Sequence, residues 1–406
     1  MKFKLLIVIT FLFISTASMA FVIQEKDNYL PASSFNASYS FKDGMCKIKI
    51  NGLYGFMNKE GRILIPCNYE YASDFQNGFA IVRNDNKFGY VLKNGTKLTE
   101  VKYEYLEPFN GDRALFKKDG KFGFLNSSGE EVIANTFETA MSFERDAAVI
   151  SLNGKTGFIN RKGISIIDPV YDFALGFAEG LAPVMKDGKW GYINEKNKVV
   201  LDFKFDIAST FKEGIATVIL EGKTTIINQK GNSLTKQEFD NVSEFVDGHA
   251  LCFKNGEFGI INNKGNVKVA GLQRAVQSNN GLYAISRNNL WGFISTEGEE
   301  LVTPIFSSVG DFHEGLAKVQ MDGKFGFINE YGEVIIPLIY DSARDFSDGM
   351  VSVKLGDTYF FLDDFGTEKL AFSLDRRSSV DNIIVKVNQT ELLYNDGQLI
   401  TASLKK

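Results

Sequence analysis

The sequence predicts an all-β fold, a tandem array of about ten 34-residue antiparallel three-stranded repeats, and three observations carry that prediction. First, an aromatic-glycine-aromatic step recurs with its leading position at Tyr54, Phe88, Phe122, Thr156, Trp190, Thr224, Phe258, Trp291, Phe325 and Tyr359, a spacing of 34 broken once by 33. Second, side chains within a copy alternate with a period of two, the pattern of half-buried strands. Third, a glycine follows the second strand in every copy but one. Asn197 stands in the exception, and asparagine is the residue that best tolerates the left-handed backbone after glycine. One supersecondary unit copied in this way packs mainly on its neighbours.

The elements follow in chain order. Residues 1–20 read as an export signal. Lys2 and Lys4 precede the apolar run Leu5–Ile14, and Ser18-Met19-Ala20 offers a small-x-small cleavage site. The run is too short to span a bilayer, which takes about 20 residues. Residues 21–40 are expected to form a lead-in or cap, 41–375 the array, and 376–406 a degenerate half-repeat closing the other end. The copy Glu314–Phe346 shows one unit most plainly. Ala317, Val319 and Met321 line one side of a first strand, and Asp322-Gly323 makes a tight hairpin turn. Lys324–Asn329 is a second strand, with Phe325 and Phe327 on one face. Glu330-Tyr331-Gly332 turns the chain into a third strand ended by Pro337. The link Asp341–Phe346 is expected to be one helical turn capped by Asp341.

The aromatic columns read as core between repeats, with a sugar-stacking platform as the alternative. Each large ring buried there is worth about 1.5–3 kcal/mol. The anchors of this stripe are Tyr54, Phe88, Phe122, Trp190, Phe258, Trp291, Phe325 and Tyr359. The glycine inside each step is expected to let a ring of the next unit lie flat on the backbone. Three strands per unit and ten units favour an open, curved or superhelical array. The alternative is a closed β-propeller, which commonly has four to eight four-stranded blades.

The steps Lys189-Trp190-Gly191-Tyr192-Ile193-Asn194 and Trp291-Gly292-Phe293-Ile294, with Gly180-Leu181-Ala182 upstream and Tyr340-Asp341 downstream, resemble the WG-repeat (KWG-type) family of bacterial repeat proteins. The resemblance covers roughly residues 41–375, although only Trp190 and Trp291 keep the tryptophan. It implies a β-rich array, often exported, with no general enzymatic activity and no catalytic residues to transfer.

Composition narrows the function. The formal net charge is −5, with 45 basic and 50 acidic residues spread over the repeats. Nucleic acid as a partner needs clustered lysine and arginine. Cys46, Cys67 and Cys252 are too few and too scattered for a disulfide framework; Cys46 and Cys252 read as buried free thiols, and Cys67 falls at a variable position from which a bridge to Cys46 is conceivable. A Cys46–Cys67 bridge would have to cross an intervening strand. Two histidines, His249 and His313, have no companions at zinc-ligand spacing, and no nucleophile elbow or phosphate loop occurs. No cofactor, metal or catalytic residue is expected, and the oligomeric state is open.

Function is expected where copies differ. The stretch Ala270–Gly281 diverges most: Gln273 stands where an aromatic is expected, Ser278 replaces a link phenylalanine, and one residue is missing. Gln273, Arg274, Gln277, Asn279 and Asn280 are the candidate recognition surface. The sixth copy lacks the step glycine at Thr225. Lysines before the anchor (Lys87, Lys121, Lys155, Lys189, Lys223, Lys324) and acids before the link glycine (Asp43, Glu179, Glu213, Asp247, Glu314, Asp348) read as solvated ladders, with a stripe for a charged polymer as the sharper alternative. The expectation is a non-catalytic binding or scaffold protein of the periplasm or cell exterior, acting on a protein or cell-envelope component. A carbohydrate or peptidoglycan binder is second and a glycan hydrolase third.

Overall fold

The computed structural model describes residues 40–375, 382–387, 390–395 and 398–404, all within one compact unit, Ser33–Lys406. Residues 1–20, expected to be an export signal, and the expected lead-in up to residue 39 lie outside the described residues. The described residues form strands and turns, and none of them is helical.

In the first blade β1 (Phe41–Lys42), β2 (Met45–Ile50), β3 (Leu53–Asn58) and β4 (Ile63–Tyr69) pair antiparallel in chain order. Only Glu70 separates β4 from β5 (Tyr71–Ala72), which opens the second blade. The three long strands of the repeat are present, and the link adds a short first strand. It is not a helical turn. Ser342–Ala343 pairs with Val353 and Lys354 of the following hairpin, and the Asp341 carboxylate accepts from the Gly356 N–H at 2.7 Å, so it fastens that hairpin instead of capping a helix. Ten such sheets follow one another. The last is extended to seven strands by Asn382–Val387, Thr390–Asn395 and Gln398–Leu404.

Of the two windings open to the sequence, the chain adopts the closed ring: a ten-bladed β-propeller. Ten hydrophobic clusters occupy the ten seams between neighbouring blades, and one of them joins Phe41, Cys46 and Ile48 of blade 1 to Met350, Phe361 and Leu370 of blade 10. An open array would leave those two half-seams in water. Hydrogen bonds confirm the closure: the Gly44 N–H donates to Asp348 Oδ2 at 2.6 Å and Ser40 Oγ to the Asp345 carbonyl at 3.1 Å.

The seams have a repeated aromatic contact. In eight of the ten blades the step has a second ring, and it meets the link phenylalanine of the next blade: Phe56–Phe75, Phe124–Phe143 and Phe158–Phe177 with centroids 4.7 Å apart, and Phe327–Phe346 at 5.1 Å. Ile226 and Ile260 hold that position in blades 6 and 7. Phe361–Phe41, at 5.1 Å, is the same contact across the closing seam. Such pairs add about 0.5–1.5 kcal/mol beyond burial.

The step glycine serves another purpose than the one expected. In β4, Pro66, Cys67 and Asn68 together oppose the single Gly55, because Tyr54 pairs with Tyr69 and Phe56 with Ile65. The bulged backbone of the blade's own fourth strand, not a neighbour's ring, lies over the glycine. A Cβ on Gly326 would stand 2.6 Å from the Ile336 carbonyl oxygen. One copy without this glycine agrees with that cause. Where Phe360 replaces it, Tyr359, Phe360 and Phe361 pair in straight register with Phe372, Ala371 and Leu370, and no bulge forms there. The fourth strand is reduced to isolated bridges both in blade 6, where Thr225 replaces the glycine (Phe239 and Ser233), and in blade 2, which keeps Gly89 (Tyr103 and Lys97), so that reduction has another origin.

All three cysteines are free, and β3 stands between Cys46 and Cys67. Burial raises both thiols, Cys46 strongly and Cys67 to about 12.

Candidate functional site

Antiparallel pairing puts the turns on two faces. The turns between first and second strands and between third and fourth strands share one, here the link face. The hairpins between second and third strands form the other, the hairpin face. Each face carries a set of bonds across the seams, and these bonds use the charged columns.

On the link face the acid of one blade accepts from the glycine N–H of the next. Asp43 receives Gly78 at 2.5 Å, Glu179 receives Gly214 at 2.9 Å, Glu213 receives Gly248 at 2.7 Å and Glu314 receives Gly349 at 2.9 Å. Burial works against the Asp43 carboxylate, but bonds from Lys93 and the Gly78 N–H outweigh it and hold its pKa below the usual range. On the hairpin face the acid that follows the fourth strand does the same for the next hairpin. Asp206 accepts from the Gly222 N–H at 3.0 Å and from Lys189 Nζ at 2.6 Å. Lys189, then Gly222, lowers the pKa of Asp206. Asp341 is held in the same way by Lys324 and Gly356. The two ladders are therefore inter-blade clasps, largely spent on holding the ring.

Blade 8 departs from this scheme on both sides. The fourth strand of blade 7, which leads into it, is one residue short: Phe258 pairs with Leu272 and Ile260 with Val269, so only Ala270 and Gly271 oppose Gly259. The missing residue is thus a bulge residue. Leu272, not Gln273, takes the aromatic's place, and Gln273 occupies the clasp-acid position. Neither Gln273 nor Asp247 accepts a clasp bond from blade 8 among the described residues. Other bonds join the blade to its neighbours. Ser243 Oγ donates to Gln277 Oε1, and Gln277 Nε2 to the His249 carbonyl, both at 3.3 Å. On the far side the Asn279 N–H donates to Asp311 Oδ1 at 2.8 Å, and Ser278 Oγ donates to the same oxygen. The seam is repacked too. Ser278 stands in the link-phenylalanine column and Tyr283, fully buried, in a column held elsewhere mostly by alanine; the tyrosine ring joins Ile260, Ala275, Ile285 and Ile294 in that cluster.

The candidate residues do not form one patch. Gln273 and Arg274 are exposed at the hairpin-face end of the first strand, Arg274–Gln277, and Asn279 and Asn280 at the link-face end. Gln277 lies between them, half-buried. Beside Gln273 opens a cavity of about 280 Å³ lined also by Gly271, Leu272, Ile285, Ser286, Arg287 and Asn288. Arg287 is tied to Glu300 at 2.5 Å. A second cleft, of about 310 Å³, lies by Phe79, Tyr90 and Phe109. Of the anchors, Trp190 is buried in a seam cluster, Tyr54, Phe88, Phe122, Phe258, Trp291 and Tyr359 are half-buried and pack against seam clusters, and Phe325 is half-buried. Among the described residues no group of three or more His, Cys, Asp or Glu could hold a metal, and no helix is long and apolar enough to cross a membrane.

No curated protein matches the sequence. Solved structures with partial similarity include one titled "Crystal structure of the eukaryotic initiation factor" (TM-score 0.43, 12% identity, covering 87% of this chain and 96% of that one). BamB from Moraxella catarrhalis (TM-score 0.35, 10% identity, 74% and 94% covered) is another. At these scores the fold rests on the strand pairing and the closed seams. The family model for the WG containing repeat matches residues 54–88, 88–122, 122–155, 157–190, 190–223, 291–325 and 325–359. With its steps, bulges and seams in register over more than half its length, the chain belongs to the WG-repeat family.

Proposed function

We propose that this chain is an exported, non-catalytic scaffold whose ring presents blade 8 to a protein or other cell-envelope partner. One observation carries the reading. Among the described residues blade 8 lacks the regular clasps of both faces at both of its seams, whereas blades 3 and 4, without a link-face clasp, keep those of the hairpin face (Glu104 to Gly120, Glu138 to Gly154). Blade 8 also leaves Gln273 and Arg274 exposed at a cavity lined by Ser286, Arg287 and Asn288. Elsewhere most of the acidic column is engaged across seams and the second-step rings are buried in them, so a repetitive sugar-stacking platform has few free rings.

The test is a pull-down of envelope proteins with the purified full chain, beside the double variant Gln273→Ala, Arg274→Ala and beside sedimentation with purified peptidoglycan. The expected result is a protein retained by the wild type, lost by the variant, with no change in melting. Equal capture by both, or binding to peptidoglycan alone, would overturn it. Export is tested by fractionation with mass spectrometry of the N-terminus, expected at Phe21. A full-length product in the inner membrane would contradict it.

A further inference from the structure

The link face carries a second pattern that the clasps do not use. Every blade projects one turn between its third and fourth strands, and the residue before the turn glycine (Asn197 in blade 5) is exposed at its tip. In blades 4 to 7 the tip is Lys162, Lys196, Lys230 and Lys264, and none of these makes an ion pair among the described residues. In blades 8 to 10 the tips are Glu297, which pairs with Lys268 at 2.9 Å, Tyr331 and Phe365, flanked by Glu299, Glu330, Glu333 and Asp364. Tyr331 and Phe365, at 71% and 78% exposure, are the most exposed large apolar side chains described. The remaining tips are Glu60, Asn94 and Ser128. Four consecutive tips, in blades 4 to 7, are basic, and the next four, in blades 8 to 10 and 1, are acidic or aromatic, with Lys59 and Arg62 flanking Glu60 in the last of them.

From this we infer that the link face binds a second copy of the same chain, face to face about a two-fold axis in the plane of the ring. An isologous contact requires a patch complementary to itself under that rotation. With the axis through the seam between blades 7 and 8, blade 7 lies on the partner's blade 8, 6 on 9, 5 on 10, 4 on 1 and 3 on 2. Lys264 then faces Glu297, and Lys162 faces Glu60. Lys230 and Lys196 face the rings of Tyr331 and Phe365 among their flanking carboxylates, an arrangement suited to cation–π contact. Asn94 faces Ser128. No like charges meet at the tips, and each pairing occurs twice. An extended polyanion would be drawn to the lysine arc but repelled by the acidic arc. A lipid surface would meet the same repulsion beside both aromatic tips. The hairpin face, with the cavity beside Gln273, stays free for another partner, so this inference stands apart from the proposed function.

The experiment is sedimentation velocity on the purified full chain at low and high salt, with two variants. One reverses the lysines (Lys162→Glu, Lys196→Glu, Lys230→Glu, Lys264→Glu) and the other makes the opposite arc basic (Glu60→Lys, Glu297→Lys, Tyr331→Lys, Phe365→Lys). All eight positions are exposed turn tips, and circular dichroism checks that each variant folds. The wild type is expected to dimerise and to weaken with salt. Each variant alone should lose affinity by about a hundredfold or more, and an equimolar mixture of the two should associate again. A monomeric wild type, a variant that dimerises like the wild type, or a mixture that stays monomeric would each overturn the inference.

Discussion

Tyr283 and Ser278 give the sharpest test of how the seams are packed. In the other nine blades the tyrosine's column holds alanine, valine or cysteine, and a link phenylalanine fills the space that Ser278 vacates. Replacing Tyr283 by alanine removes a fully buried ring, a change that costs about 3–5 kcal/mol for large aromatic residues. Its hydroxyl has no partner among the described residues, so no hydrogen bond is lost and the net cost should fall toward 3 kcal/mol or a little less. Ser278→Phe alone would crowd an occupied core at about 1–3 kcal/mol. Together the two substitutions recreate the arrangement of the other seams, and the double variant should lie within about 1 kcal/mol of wild type, a coupling of several kcal/mol. Urea melts followed by tryptophan fluorescence would measure this, since Trp291 lies in the same blade. Tyr283→Phe should be neutral or stabilising by about 1 kcal/mol. If the two large changes simply add, the side chains do not share a space and the swap is coincidence.

Three further outcomes are expected. Gly326→Ala should destabilise by about 2–4 kcal/mol because its Cβ would meet the bulged backbone, whereas Thr225→Gly should cost little; thermal melts of both variants decide this. The carboxylates of Asp43, Asp206 and Asp341 have lowered pKa values in the folded chain. Their contribution is therefore present above the unfolded value, about 4, and is lost as pH falls through the folded values below it. Stability should stay level from neutrality to about pH 4 and then decline, less steeply in a variant with all three changed to asparagine. Burial holds the thiols of Cys46 and Cys67 protonated, so alkylation at pH 8 should be slow in the native chain and fast in urea; rapid native labelling of Cys46 would contradict the packing of the closing seam.

The repeat, its strands and its hairpins were legible because they are local: alternation, Asp-Gly turns and a constant spacing are read within 34 residues. What was not legible depends on partners a full repeat away. Asp341 looks like a helix cap beside its neighbours in sequence, but its carboxylate is taken by Gly356 in the next hairpin. The acid and lysine columns look like free charge until their partners are placed across a seam. The step glycine could have been understood from one exception, since Phe360 coincides with a fourth strand that pairs without the bulge. A signal for closure was also present. The first repeat has a link phenylalanine, Phe41, with no step before it, and the last has Phe361 with no link after it. Each is half of a seam. At the candidate site the divergent stretch pointed to blade 8, but strand register was needed to put the deletion in the bulge and move Gln273 into the clasp position.

Closure of the ring is the claim on which the seams, the clasps and both proposed surfaces depend. Double electron–electron resonance tests it directly, with spin labels at Leu53 and Thr358, equivalent positions in blades 1 and 10, in a Cys46→Ala, Cys67→Ala, Cys252→Val background diluted with unlabelled chain. A ring predicts the same separation as a reference pair at Lys121 and Lys155 in the adjacent blades 3 and 4. A distance far longer than that reference would mean an open array.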